Sequence, residues 1–259
     1  MNNELSFAIA GGDERYTVLA GLLPRVTSNL CDADAIIFPV PFQWDDDVMR
    51  SLKPDQLLFS ATVSAENRAR AKSLGLEIRD YSVGEPFAVA NALITAEGAI
   101  ETAMRETKFT IGSSEVLIIG FGRIGKLLAQ RLKPLCYDVS VYARSPADKA
   151  WIKAYGYGCS EYASEYAELS RYDIIFNTAP ALMMDAYALS IARNALVIDL
   201  ASKPGGVDYQ AAEHLSVKVI HALSLPGKAA PITAAMIIRD ALINELNNLR
   251  KENAIRILR

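Results

Sequence analysis

Short apolar runs recur along the chain, each closed by glycine, proline or a polar cluster, with helix-compatible segments between them. Residues 5–10 (LSFAIA) stop at Gly11-Gly12, and residues 34–40, 57–60 and 76–78 form three further runs. Residues 13–30 suit a helix despite Pro24 late in the segment. Residues 64–74 suit another, closed by Gly75, because glycine readily takes the left-handed conformation that ends helices. Strands alternating with helices predict a parallel sheet, in a first unit that ends near Tyr81. Beyond it, small or apolar residues recur at Val89, Leu93, Ala96, Ile100 and Met104, which predicts one connecting helix over residues 86–104.

The second half repeats the alternation. Residues 115–119 (EVLII), 138–142 (DVSVY), 174–177, 196–200 and 217–222 read as strands. Residues 125–135 and 146–155 read as helices, the latter ended by Gly156, and residues 229–249 as a long final helix. The predicted class is α/β: two Rossmann-like lobes with parallel sheets, joined by a long helix and followed by a C-terminal helix. The expected domains are residues 1–85 (α/β, on the substrate side), a connecting helix over 86–110, a nucleotide-binding domain over 111–227, and a helix over 228–259 that packs back toward the first domain. A cleft between the lobes is the expected place for cofactor and substrate.

The strand at 115–119 runs into Gly120-Phe121-Gly122-Arg123-Ile124-Gly125, followed by the helical pattern KLLAQRL. Alone, such a glycine spacing is weak; between a strand and a helix it carries a mechanism. Gly120 permits the tight turn, Gly122 lets backbone approach a pyrophosphate, and Gly125 lets helix and strand pack closely. The helix start offers N–H groups and a partial positive charge to the phosphates, with Arg123 and Ile124 in its first turn. An ordinary glycine-rich turn is the alternative. The following strand ends in Tyr142-Ala143-Arg144-Ser145-Pro146, where an NAD site expects a carboxylate for the ribose hydroxyls. With Ala143 there instead, and Arg144 and Ser145 able to hold a 2′-phosphate, NADP is expected over NAD.

Ligands of open α/β sheets bind at the carboxyl ends of strands. Asn177-Thr178-Ala179-Pro180, the stretch from Asp199 through Ala201 to Gly206, and Leu223 through Pro226 to Lys228 all follow strands and mix polar residues with glycine or proline. Asn177, Thr178, Ala179, Pro180, Asp199, Ala201 and Pro226 therefore join the cofactor-binding candidates.

Composition narrows the field. Of 259 residues, 51% are apolar and 22% charged, enough for a globular core, and a net charge of −3 without a basic stretch argues against nucleic-acid binding. Cys31, Cys136 and Cys159 lie far apart, and His214 and His221 lie near no other candidate ligand, so no metal site is expected; buried free thiols of a reducing cytoplasm are. The start lacks the pattern of a secretory signal and no run is long enough to span a bilayer, so a cytoplasmic protein with no membrane association is expected.

GFGRIGKLLA, YARS, NTAP, IDLASKPGG and LPGKAAPITA together resemble the NADP-binding A subunits of bacterial dipicolinate synthases, as do the connecting segment from Asn91 and the early Gly11-Gly12-Asp13-Glu14-Arg15. The resemblance implies NADP⁺-dependent oxidation of a dihydrodipicolinate-type intermediate of lysine biosynthesis to dipicolinate, in spore formers, with the flavoprotein-like B subunit of dipicolinate synthase as partner. Two departures stand out. Pro39-Val40-Pro41-Phe42 runs quickly into Asp45-Asp46-Asp47, where the family is expected to have a longer loop, and Lys203 stands where arginine is expected. A ring with two carboxylates calls for cations, and Arg15, Lys203 and Lys228 are the substrate-binding candidates. No residue is assigned as catalytic: His221 could accept a proton but is treated as structural, and Glu97 and Asp199 carry no specific argument. Another NAD(P) dehydrogenase of hydroxy or amino acids, and a non-catalytic nucleotide-binding protein, are the competing readings, and a homo-oligomer is left open.

Overall fold

The computed structural model describes residues 5–161 and 166–257. The chain divides into two compact units, Met1–Asn91 with Ala230–Arg259, and Ala92–Ala229. The first unit contains β1 (Phe7–Ile9), α1 (Glu14–Leu22), β2 (Ala35–Ile37), α2 (Asp46–Ser51), β3 (Leu57–Ser60), α3 (Ala65–Ser73), β4 (Ile78–Asp80) and the start of α4 (Glu85–Glu106). Its four strands are parallel and lie in sequence order, β1-β2-β3-β4. Side chains alternate between the two faces with the strand period of two. Ile37 and Phe59 pack with Phe7, Leu19 and Tyr81, while Ile36 and Leu58 pack with Met49, Ala71 and Ile78.

Strands β1 and β2 are shorter than the apolar runs that mark them, and two further bounds and one added helix depart from the sequence reading. Helix α1 stops at Leu22 rather than near Leu30, because Leu23 precedes Pro24 and is extended (φ −94°, ψ 146°), the conformation that the proline ring imposes on the residue before it. Strand β4 lies at 78–80, as Gly75 ends the preceding helix and Leu76-Glu77 form the connector. Helix α2 was not predicted; Asp45 caps it, accepting from Asp47 N and Val48 N, and Met49 is its buried residue.

The second unit contains β5 (Glu115–Ile119), α5 (Arg123–Leu132), β6 (Asp138–Tyr142), α6 (Pro146–Ala154), β7 (Gly158–Cys159), β8 (Ile174–Asn177), α7 (Ala186–Ile191), β9 (Leu196–Asp199), α8 (Tyr209–His214), β10 (Val219–His221) and α9 (Leu225–Ala229). The sheet is parallel, in the order β10-β9-β8-β5-β6-β7. Val116, Ile118, Phe176 and Ile198 face one core, which the α4 residues Ala96, Ala99, Ile100 and Ala103 complete. Leu117, Ile119, Ile175 and Val197 face the other. Helices α7 and α8 have six residues each, too few for a helical period to emerge from the sequence; Asp185 and Asp208 cap them, accepting from Ala188 N and Ala211 N. The predicted final helix is α10 (Pro231–Ile257), which starts on Pro231, a residue suited to a first helical position, and runs beyond residue 249; the short α9 before it, ending at Ala229, has no counterpart in the sequence reading.

Helix α10 belongs to the first unit, where Ala235, Ile238 and Leu242 are buried with Leu19, Ile37 and Phe59. The three cysteines are unpaired and half-buried rather than buried, because they sit in connecting turns or, for Cys159, on the edge strand β7. Among the described residues no helix is long and apolar enough to cross a membrane, and no cluster of His, Cys, Asp or Glu could hold a metal.

Candidate functional site

The chain runs outward from β5 through β6 to β7, then returns to β8 on the other side of β5 and runs outward again through β9 to β10. Strand order therefore reverses between β5 and β8, and the loops after these strands diverge and leave a crevice there. The first unit, whose strands follow sequence order, has no such reversal. The register aligns the strand ends in one row: Tyr142 pairs with Ile119, Ile119 with Asn177, Asn177 with Asp199, and Asp199 with His221.

A groove of about 360 Å³ opens over this row, lined by Gly120, Phe121, Gly122, Tyr142, Ala143, Arg144, Ser145, Asp148, Thr178, Ala179, Pro180 and Met183, with Ile119 beneath. Its glycines serve different ends. Gly120 sits at φ +102°, in the left-handed region. A Cβ on Gly125 would collide with the Gly120 carbonyl, so this glycine lets α5 close on β5. Gly122 is unlike both. Its φ is −75°, it caps α5 without a side-chain hydrogen bond, and a Cβ on it would meet nothing within 4 Å. Neither conformation nor packing requires glycine there; the space a side chain would fill is the mouth of the groove at a helix N-terminus with no acidic residue in its first turn. That cradle suits an anionic group held by backbone N–H donors.

Arg144 is exposed, and Ser145 caps α6, its Oγ accepting from Asp148 N at 3.4 Å. Asp148, Phe121, Tyr142 and Met183 line the groove but were not singled out in the sequence; Asp148 stands three residues after a serine cap, the usual place for an acid at a helix start. Thr178 donates its hydroxyl to Ile119 O at 2.9 Å, which holds the loop after β8 against β5. Arg123 and Ile124 form the first turn of α5 outside the groove's lining.

Other candidates lie elsewhere. The side chains of Asn177 and Asp199 are fully buried and bonded to each other at 2.9 Å, below the groove rather than in it. Ala201 and Pro226 are buried as well. Lys203 and Lys228 are exposed, the first on the loop after β9 and the second in α9. Arg15, in the first unit, is only 8% exposed; its Nε and Nη2 both reach Asp13 at 2.8 Å, and the guanidinium lies 5.3 Å from the Tyr16 ring centre. Burial opposes its charge, but the Asp13 bonds together with charge interactions with Tyr16, Asp13 and Tyr81 outweigh that, and its pKa stands above the ordinary arginine value.

Known proteins share this arrangement. Residues 89–196 match the family model of the NAD-binding domain of D-isomer specific 2-hydroxyacid dehydrogenases. The chain is 32% identical over 241 residues to the A subunit of dipicolinate synthase from Bacillus subtilis, covering 85% of this chain and 80% of that protein. The crystal structure of the dipicolinate synthase A subunit from Bacillus halodurans superposes with a TM-score of 0.83 at 27% identity, covering 95% of this chain and 99% of the other. That of the Bacillus subtilis protein gives 0.80 at 26% identity, covering 97% and 99%. The fold is that of NAD(P)-dependent oxidoreductases, and its nucleotide-binding domain is of the 2-hydroxyacid dehydrogenase kind. With the relationship extending over most of both chains and through both units, this protein belongs to the family of dipicolinate synthase A subunits.

Proposed function

We propose that the chain oxidises a dihydrodipicolinate-type intermediate to dipicolinate with NADP⁺, in the reducing cytoplasm and together with a second subunit. The observation that carries the nucleotide part is Gly122: a glycine that the fold itself does not need, at the mouth of a groove over the strand-order reversal. Gly120, Gly122 and the first turn of α5 would hold the pyrophosphate, and Arg144 with Ser145 the 2′-phosphate. Thr178, Ala179 and Pro180 form the opposite wall. A bound nicotinamide would supply the hydride acceptor. The protein's own contribution is then orientation and exclusion of water, because aromatisation of the product ring supplies much of the driving force. Lys203, Lys228 and Arg15 remain the cations proposed for the substrate carboxylates.

A second reading has one observation in its favour. No histidine or lysine lines the groove among the described residues, so the chain could bind nucleotide while its partner supplies the proton acceptor. Single-turnover oxidation of the intermediate by the isolated chain, followed by NADPH absorbance, separates the two. Turnover without a partner supports the first, and nucleotide binding without turnover supports the second.

A further inference from the structure

Beneath the strand-end row, outside the lining of the groove, lies a polar cluster. Asp199 is fully buried, and its carboxylate accepts four hydrogen bonds: from Asn177 Nδ2 at 2.9 Å, Ala201 N at 3.0 Å, Gly206 N at 2.7 Å and Tyr209 Oη at 2.6 Å. Asn177, equally buried, uses its remaining capacity on Ala179, donating to its carbonyl at 3.1 Å and accepting from its N–H at 3.2 Å. One side of this pair therefore grips the loop that walls the nucleotide groove. The other side grips both ends of the loop that carries Lys203. His221 holds the second loop again: its Nε2 lies 2.9 Å from Ala201 O, and its ring stacks on Tyr209 with centres 5.2 Å apart.

The surrounding sequence is shaped to this cluster. Gly205 sits at φ +96°, and a Cβ there would stand 2.7 Å from Asp199 Oδ2. A Cβ on Gly206 would press on Ala181 O at 2.7 Å and Ala179 O at 2.9 Å. Burial, with help from Asp199, raises the Tyr209 pKa, so its hydroxyl stays protonated and donating across the working pH range. A buried carboxylate without a cation is costly unless neutral donors satisfy it, and an apolar side chain would close the sheet end at lower cost. The four donors make the charge tolerable, and what they connect is two loops.

We propose that Asn177 and Asp199, closed by Tyr209 and backed by His221, form a clasp that couples the groove wall at residues 178–180 to the Lys203 loop, so that occupancy of one is felt at the other. Tyr209 and His221 are then positioning residues. Displacing Ala179 must break its bonds to Asn177 or drag Asp199, and with it Ala201 and Gly206. Such coupling is reciprocal: whatever factor one ligand applies to the other's affinity is returned. The ligand arm of the test rests on the function proposed above; the structural arm does not.

The Tyr209→Phe variant keeps the ring and its stacking and removes one donor from Asp199. The structural arm is amide hydrogen exchange of the full chain without ligand. Exchange at Ala201, Gly206 and Ala179 should rise at least about threefold, while Thr178 N, bonded to Ile119 O in the sheet, stays unchanged. An unchanged Ala179 amide would overturn the link between the loops. The ligand arm titrates NADP⁺ with and without saturating dipicolinate. Wild type should show a shift in affinity, and Tyr209→Phe should lose at least about half of it on a logarithmic scale, with affinity for NADP⁺ alone within about twofold. Full coupling in Tyr209→Phe, or none in wild type, overturns the proposal. Failure of wild type to bind dipicolinate at all removes the dicarboxylate reading, and the exchange arm still decides the clasp. Should Tyr209→Phe not fold, His221→Phe keeps an aromatic ring, loses the Ala201 bond and should reproduce both effects in weaker form.

Discussion

Replacing Arg144 with alanine should remove most of the preference for NADP⁺ over NAD⁺. The side chain leaves the loop after β6, borders the groove and is exposed, with no ion-pair partner among the described residues. Its charge is thus available to a 2′-phosphate. A charge-assisted hydrogen bond contributes about 1.5–3 kcal/mol, and exposure to water places this one at the lower end. About 1.4 kcal/mol is tenfold in affinity, so wild type should favour NADP⁺ by at least about tenfold and Arg144→Ala by about twofold or less. Asp148 lines the same groove and would work against a 2′-phosphate there; Asp148→Asn should tighten NADP⁺ binding by about two- to fivefold, the scale of an exposed charge pair. Calorimetric titration of both nucleotides at fixed ionic strength measures the preference, which should also shrink as salt screens the contact. Equal affinities in wild type, or an undiminished preference in Arg144→Ala, would refute the reasoning.

The two helix-start glycines should separate fold from ligand. Gly122→Val should abolish nucleotide binding with the melting temperature nearly unchanged, whereas Gly125→Ala should lower it by several degrees, because its Cβ meets the Gly120 carbonyl; equal melting losses in both would contradict the assignment. Lys203→Ala should weaken dipicolinate binding and leave NADP⁺ binding intact, as calorimetry would show. Arg15→Ala should do the same and in addition reduce stability by up to about 1 kcal/mol, since it removes the partner of Asp13, which is exposed and can turn to water; chemical denaturation reads the second effect. Cys136, its pKa pushed up to about 11 by burial, should react with thiol reagents far more slowly at pH 8 than an ordinary exposed thiol, and its rate should keep rising through pH 10; a plateau near pH 9 would contradict that.

The glycine turn, the strands around it and the missing acid after β6 were legible because each is a local signal: a run of apolar residues, a fixed spacing, one residue type at one position. The short helices α2, α7 and α8 were not, since six residues cover less than two turns and their only mark is the capping aspartate before each. Asn177 and Asp199 show a deeper limit. A polar residue at a strand end reads as a ligand contact, and only the register of β8 against β9, which sets these two side by side, reveals that they face each other under the groove. Tyr209, which completes the cluster from the start of α8, belonged to no predicted element. Arg15 was legible as a cation near a strand end, but not as one already held by Asp13.

The first unit is made from both ends of the chain, and this orders its birth on the ribosome. Its sheet emerges early, yet Phe7, Leu19, Ile37 and Phe59 find their partners Ala235, Ile238 and Leu242 only after α10 has been synthesised. The second unit is continuous over residues 92–229 and can close its two cores without waiting for the terminus. Synthesis therefore runs against the usual order in which the N-terminal domain matures first: the nucleotide-binding half is complete while the first-made half still exposes an apolar face. A ribosome stalled before α10 would present that face to chaperones, and a nonsense codon near residue 230 would unfold the beginning of the protein rather than its middle.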